Sequence, residues 1–354
     1  MPLPPEQPSE EPSNARTAGW PCGDGEPTVL TIGVFDGVHL GHRSLIERAR
    51  ELADRPPGGV QEQGASARVV VLAFDPSPRA VLSPERAPPR LTGFEQRADL
   101  LLDAGADDVL RLEPTPGLLG LSPAQFVEDV LMPLRPIAVV EGPDFCFGAK
   151  RAGDVNTLAE LGRPRGFAVH VLPPAEVSLH DQSVVAASSS ITRWLLSHGR
   201  VADAGRVLGR PYATRGTVEQ GDQRGRTIGF PTANLTFDTM PPGDGVYACI
   251  ATLDDGRTLP CAVNIGERPT FGGVQRRVEA HVIGYERPGD RPEYGWELTL
   301  AFVSRLRDQV RFGGVDQLTS QLRRDVARAV DVVEPILQHH GAHALEHSNE
   351  EAPA

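Results

Sequence analysis

The sequence predicts an α/β unit built on a parallel sheet, followed by an antiparallel β unit with a closing helix. Three observations carry this expectation. From Thr28 to about His198, short continuous apolar runs alternate with helix-like segments, the pattern of strands covered on both faces. From about Tyr212, the runs shorten, partly alternate, and are separated by Gly, Asp and Pro clusters, as in an antiparallel barrel or sandwich. From Val315 to His339, apolar residues recur at helical spacing. A length of 354 residues allows two domains at about 100–200 residues each. They are expected at 27–200 and 201–340. The flanks 1–26 and 341–354 are too polar to bury a core and are expected to be disordered.

The elements follow in order. Thr28–Ile32 reads as the first buried strand. A Gly-rich turn leads to a helix from about Ser44, with Leu45, Ile46, Ala49 and Leu52 on one face. Val69–Phe74, Val109–Leu112, Ile137–Val140 and Phe167–Leu172 are the later strands, with helices near 95–104, 123–132 and 154–161 between them. In the second unit, strands are expected at Val246–Ala251, Leu259–Val263, Val278–Ile283 and Glu297–Phe302.

Composition narrows the function. A net charge of −12 argues against general nucleic-acid binding, but does not bear on a small anionic ligand held by local charge. No apolar run of about 18 residues is present, so no membrane span is expected. The N-terminus lacks the basic start and apolar stretch of a signal peptide. Cys22, Cys146, Cys249 and Cys261 form no CxxC pair. Neither a disulfide framework nor a zinc ribbon is indicated, and a reducing cytoplasm is expected. Cys146 reads as packing. The His339, His343 and His347 series, with His340 beside it, reads as a solvated helix end.

The first chemical segment is Gly33-Val-Phe-Asp-Gly-Val-His-Leu-Gly-His42, between a strand and a helix start. Gly33, Gly37 and Gly41 permit close backbone approach. Phe35 and Asp36 lie within the same turn, and with these glycines are expected to bind the nucleotide phosphates. A helix N-terminus offers N–H groups to an anion, and His39 and His42 can donate to phosphate oxygens and stabilise charge building on phosphorus. No Walker lysine is present, so this is not a P-loop.

The second chemical segment runs from Gly216 to Asn234. Gly221, Gly225 and Gly229, with Arg224 and Arg226, make a flexible cationic loop. Phe230-Pro231 fixes the chain ahead of Thr232 and Asn234. Two residues apart in an extended segment, their side chains project to one side. They are hard oxygen ligands suited to Mg²⁺ bridging nucleotide phosphates.

HxGH after a first strand looks like the nucleotidyltransferase superfamily, and GVFDGVHLGH resembles the bacterial bifunctional FAD synthetases (riboflavin kinase/FMN adenylyltransferase). Gly142–Gly148 with Lys150–Asp154, Ser188–Arg193 and GRTIGFPTAN are similar to further segments of that family. The resemblance covers about residues 28–335. It implies a Rossmann-like nucleotidyltransferase domain and an antiparallel β-barrel riboflavin kinase domain with a C-terminal helix. The substrates would be riboflavin, FMN and ATP, with Mg²⁺ as cofactor and no nucleic acid or membrane as partner. His39 and His42 would bind the ATP phosphates, Asp144 the nucleotide or flavin, and Ser188, Ser189 and Arg193 phosphates. Ser188–Ser190 equally fits a helix cap. Glu279, in Val278-Glu-Ala-His-Val-Ile283, would be the kinase base. Asn264, Arg268, Phe271 and Tyr294 would wall the flavin and nucleotide pockets, and Arg307 and Phe312 resemble the closing segment.

The chain departs from the family pattern at four places. Pro76-Ser77-Pro78 replaces Pro-His-Pro, with Arg79 as a nearby substitute. Ile191 stands at a usual arginine, Gly199-Arg200 at a usual Gly-Asp, and Gly284 at a usual Asp. Three other readings remain beside the bifunctional one: a kinase with a weakened adenylyltransferase, a non-catalytic flavin-binding protein, and a nucleotidyltransferase for another phosphorylated small molecule.

Overall fold

The computed structural model describes residues 26–55, 67–221, 224–270, 273–286, 288–289 and 292–350. The chain divides into two compact units. The first comprises residues up to Phe35, Gly41–Pro88 and Phe94–Pro174. The second comprises Asp36–Leu40, Pro89–Gly93 and Ala175 onward.

The first unit contains β1 (Thr28–Gly33), α1 (Leu40–Asp54), β2 (Arg68–Phe74), the short α2 (Pro78–Leu82), α3 (Phe94–Asp103) and β3 (Asp108–Leu112). It continues through the short helices α4 (Pro116–Gly120) and α5 (Pro123–Phe126) to β4 (Pro136–Glu141). Last come a small ladder of β5 (Cys146–Phe147) with β6 (Gly153–Asp154), α6 (Val155–Gly162) and β7 (Ala168–Val171). The sheet order is β3-β2-β1-β4-β7, with every pair parallel. Residues 28–32 of β1 and 69–73 of β2 are buried without alternation, as expected for strands covered on both faces. α1 buries Ile46, Ala49, Leu52 and Ala53 at helical spacing. It begins four residues earlier than Ser44, so His42 lies in its first turn.

The second unit carries the hairpin β8 (Glu176–Ser178) and β9 (Val184–Ala186), then α7 (Ser189–Ser197) and α8 (Val201–Leu208). Next come β10 (Tyr212–Glu219), α9 (Arg224–Thr227), β11 (Ala233–Thr236), β12 (Gly245–Leu253), β13 (Thr258–Thr270), β14 (Gly273–Val282), β15 (Glu297–Arg307) and α10 (Val315–Glu350). The six strands close into a barrel, β10-β11-β14-β13-β12-β15. Pairing of β10 with β15 closes the ring and removes the sheet edges.

Leu195, Leu196, Val201, Val207 and Leu208 share one apolar cluster with barrel residues such as Tyr212, Tyr247, Val263 and Phe302. By packing, the segment 175–200 therefore sits with the barrel. On the other barrel wall, Ala329 and Val333 of α10 pack with Val246, Ala248 and Leu306. Arg307 pairs with the buried Asp325 at 2.7 Å. α10 continues past His339 to Glu350, further than the apolar spacing predicted. Among the described residues, no helix is long and apolar enough to cross a membrane.

Candidate active sites

The turn after β1 has backbone that only specific support can hold. Phe35 (φ 52°), Gly37 (φ 84°) and Val38 (φ 42°) all adopt left-handed angles, which cost non-glycine residues of order 1–3 kcal/mol each. Asp36 supplies much of the support. Its buried carboxylate accepts from the backbone N–H groups of Leu91 and Thr92 at 3.0 Å and from the Thr92 hydroxyl at 3.2 Å. Arg193 donates to it at 2.5 Å. The Ser189 hydroxyl donates to the Asp36 carbonyl (2.7 Å), and the Gly37 N–H donates to Thr92 Oγ1 (3.1 Å).

Arg210, which the sequence reading did not single out, donates to the carbonyls of Gly37 (2.8 Å) and Val38 (3.0 Å). No local pattern marks it, because its partners lie more than 170 residues upstream. His39 is buried. Desolvation, reinforced by the positive Arg210, lowers its pKa to about 4, so its imidazole is neutral near pH 7. The His42 ring meets Phe35 edge to face, 5.0 Å between centroids.

Ser188 caps α7, accepting from the Ile191 N–H at 3.2 Å, while Arg193 also donates to the Pro89 carbonyl at 2.8 Å. Asp144 is exposed in the loop after β4. Three departures from the family pattern have structural occupations here. Ser77 caps α2, Ile191 packs against the apolar cluster, and Arg200 bridges Asp181 and Asp203. Glu141, at the end of β4, was also missed from sequence. It is buried, accepts from the Ile32 N–H at 2.6 Å, and burial pushes its carboxyl well above the usual range.

In the barrel, register aligns the candidate kinase residues. Asn234 on β11 lies opposite Glu279 on β14, and Glu279 lies opposite Asn264 on β13. Gln309 donates to Asn264 Oδ1 at 3.0 Å. This turns the Asn264 NH₂ toward Glu279 Oε2, 3.5 Å away. A cavity of about 600 Å³ is lined by Thr232, Asn234, Asn264, Glu279, Gln309 and Phe312, among others. A second, of about 210 Å³, is lined by Gly221, Arg226, Thr232, Asn234, Tyr294 and Trp296, among others. Thr232 and Asn234 thus border both cavities. Asn264 and Tyr294, grouped by the sequence reading, line different ones.

In the loop beside these cavities, a Cβ on Gly221 would overlap the Asn234 amide, and one on Gly225 the Phe230 carbonyl. Gly225 lines the larger cavity, and Gly229 takes φ 84° just before Phe230. Arg226 pairs with Glu293 at 2.5 Å. Arg224 opens α9 and Arg268 lies on β13. Phe271 lies outside the described residues.

A parallel-sheet unit, an HxGH turn and a closed barrel carrying the row Asn264–Glu279–Asn234 fit a two-domain transferase of phosphorus-containing groups. A family model described as FAD synthetase matches residues 23–187, and one described as riboflavin kinase matches residues 208–333. The bifunctional riboflavin kinase/FMN adenylyltransferase of Escherichia coli (strain K12) is 34% identical over 304 residues, 85% of this chain and 91% of that one. The Pseudomonas fluorescens protein of the same description is 35% identical over 310 residues, covering 87% and 93%. A solved structure described as a macrolide-efflux protein from Streptococcus pneumoniae has a TM-score of 0.73 at 27% identity, covering 86% of this chain and 93% of that one. The chain belongs to the bifunctional riboflavin kinase/FMN adenylyltransferase family.

Proposed function

We propose that the barrel unit transfers the γ-phosphoryl group of ATP to the 5′-hydroxyl of riboflavin, giving FMN and ADP. The HxGH turn then serves attack of the FMN phosphate on the α-phosphorus of ATP, giving FAD and pyrophosphate. The observation that carries the kinase half is the row Asn264–Glu279–Asn234, with Thr232 and Asn234 bordering two cavities. The larger cavity is walled by Val263, Phe312, Leu318 and Leu322 and suits the flat apolar flavin ring. The smaller, with Gly221 and Arg226, suits the nucleotide.

Glu279 takes the proton of the attacking hydroxyl, and Asn264 orients its carboxylate. Thr232 and Asn234 fit a magnesium ion. Both offer neutral oxygen donors, and both border the two cavities. Such a site suits an ion that arrives with nucleotide phosphates and keeps its waters. Thr232 and Asn234 would hold Mg²⁺, which would supply positive charge against the phosphate oxygens.

On the adenylyl side, His39 donates to phosphate as a neutral imidazole, and His42, Ser188, Ser189 and Arg193 add donors. Asp36 acts by holding the turn and Arg193. We place the protein in the cytoplasm, where ATP is supplied.

The test is incubation with riboflavin, ATP and Mg²⁺, with chromatographic separation of FMN and FAD. The wild type should make both. The His39→Ala/His42→Ala variant should make FMN only, and Asn234→Ala should make FAD only, from supplied FMN. Loss of both products in a folded variant contradicts the assignment.

A further inference from the structure

The backbone ladder between β11 and β14 begins at Ala233 opposite Ala280, followed by Asn234 opposite Glu279. Thr232, one residue upstream, lies outside it, and Pro231 has no N–H with which to extend it. Backbone pairing with β14 therefore places Asn234 but not Thr232. A side chain acts where the ladder stops. His281 Nδ1 lies 2.8 Å from the Pro231 carbonyl oxygen. Its ring meets Phe230 edge to face, with 5.6 Å between centroids and 63° between planes. A carbonyl only accepts, so Nδ1 carries the proton. His281 stands two residues from Glu279 on the same face of β14, and both line the larger cavity with Thr232 and Asn234.

We infer that His281 is a positioning residue for phosphoryl transfer. Its hydrogen bond to the Pro231 carbonyl holds Thr232 where its hydroxyl acts together with the Asn234 amide on the nucleotide phosphates and their metal. The inference rests on the reading of Thr232 as a ligand. Its logic is that of an outer partner fixing a ligand's position, whose removal typically costs about 10–100-fold in metal affinity or activity.

The test uses the full chain. His281→Leu should lower kcat for FMN formation about 10–100-fold. It should also weaken Mn²⁺ binding to the ADP-saturated protein, read by electron paramagnetic resonance, about tenfold or more. His281→Asn, whose amide can donate to the same carbonyl, should recover most of both. FAD formation from supplied FMN should be unchanged and reports on folding. Added to Thr232→Ala, His281→Leu should cost little more, because both act through one hydroxyl. Fully multiplicative losses overturn the inference. So does failure of the Asn and Leu variants alike, or normal Mn²⁺ binding in His281→Leu. If Thr232→Ala alone leaves FMN formation and Mn²⁺ binding intact, the ligand reading falls first and takes this inference with it. If Thr232→Ala abolishes both while His281→Leu behaves as wild type, only the role of His281 is refuted.

Discussion

Acid should loosen this protein through one imidazole. His39 is 7% exposed. Burial, helped by the positive Arg210, takes its pKa from 6.5 in the free side chain to about 4. Between those values the unfolded chain binds a proton on this ring and the folded chain does not. Stability from the neutral buried ring is therefore full above pH 6.5 and falls as pH drops toward 4. At about 1.36 kcal/mol per pH unit, the loss from this group reaches roughly 2 kcal/mol by pH 5. Urea denaturation of wild type and His39→Asn at pH 7 and pH 5, followed by tryptophan fluorescence, isolates it. On going to pH 5, the wild type should lose roughly 2 kcal/mol more than the variant, which has nothing to titrate there. Equal losses refute the reasoning, as does an NMR titration that places the His39 ring near its ordinary value.

Two further outcomes follow from the geometry. Gly221→Ala should displace the Asn234 amide, lowering FMN formation by about a hundredfold or more, as a misplaced reacting group does. FAD formation from supplied FMN should survive, and a coupled assay of each half-reaction checks this. Asp36→Ala would strip the carboxylate from Arg193 and from the Leu91 and Thr92 N–H groups. Leaving the buried Leu91 and Thr92 N–H groups without their acceptor should destabilise the protein by about 2–3 kcal/mol, visible as a drop in thermal midpoint.

The parallel sheet was legible because its strands advertise burial on both faces: Val69–Ala73 is a continuous apolar run, and Val29–Ile32 is interrupted only by Thr31. The HxGH turn and GRTIGFPTAN were legible because glycine and proline fix local backbone. What escaped depends on distant chain. Asp36 reads as a ligand residue within its motif, yet its carboxylate is engaged by residues 55 to 157 positions away. Arg210 has no motif at all. The barrel's first strand, β10, is not among the strands expected from sequence, because Thr214, Arg215, Gly216 and Thr217 carry little apolar signal. Ring closure with β15, not propensity, makes them a strand. Nothing local marks His281, since its tie to Pro231 spans 50 residues.

Thr232 and Asn234 form a partition with a chamber on each side. A partition of this kind separates traffic as well as reactants. On the assignment proposed above, transfer of the phosphoryl group leaves FMN on the side of the larger chamber and ADP on the side of the smaller.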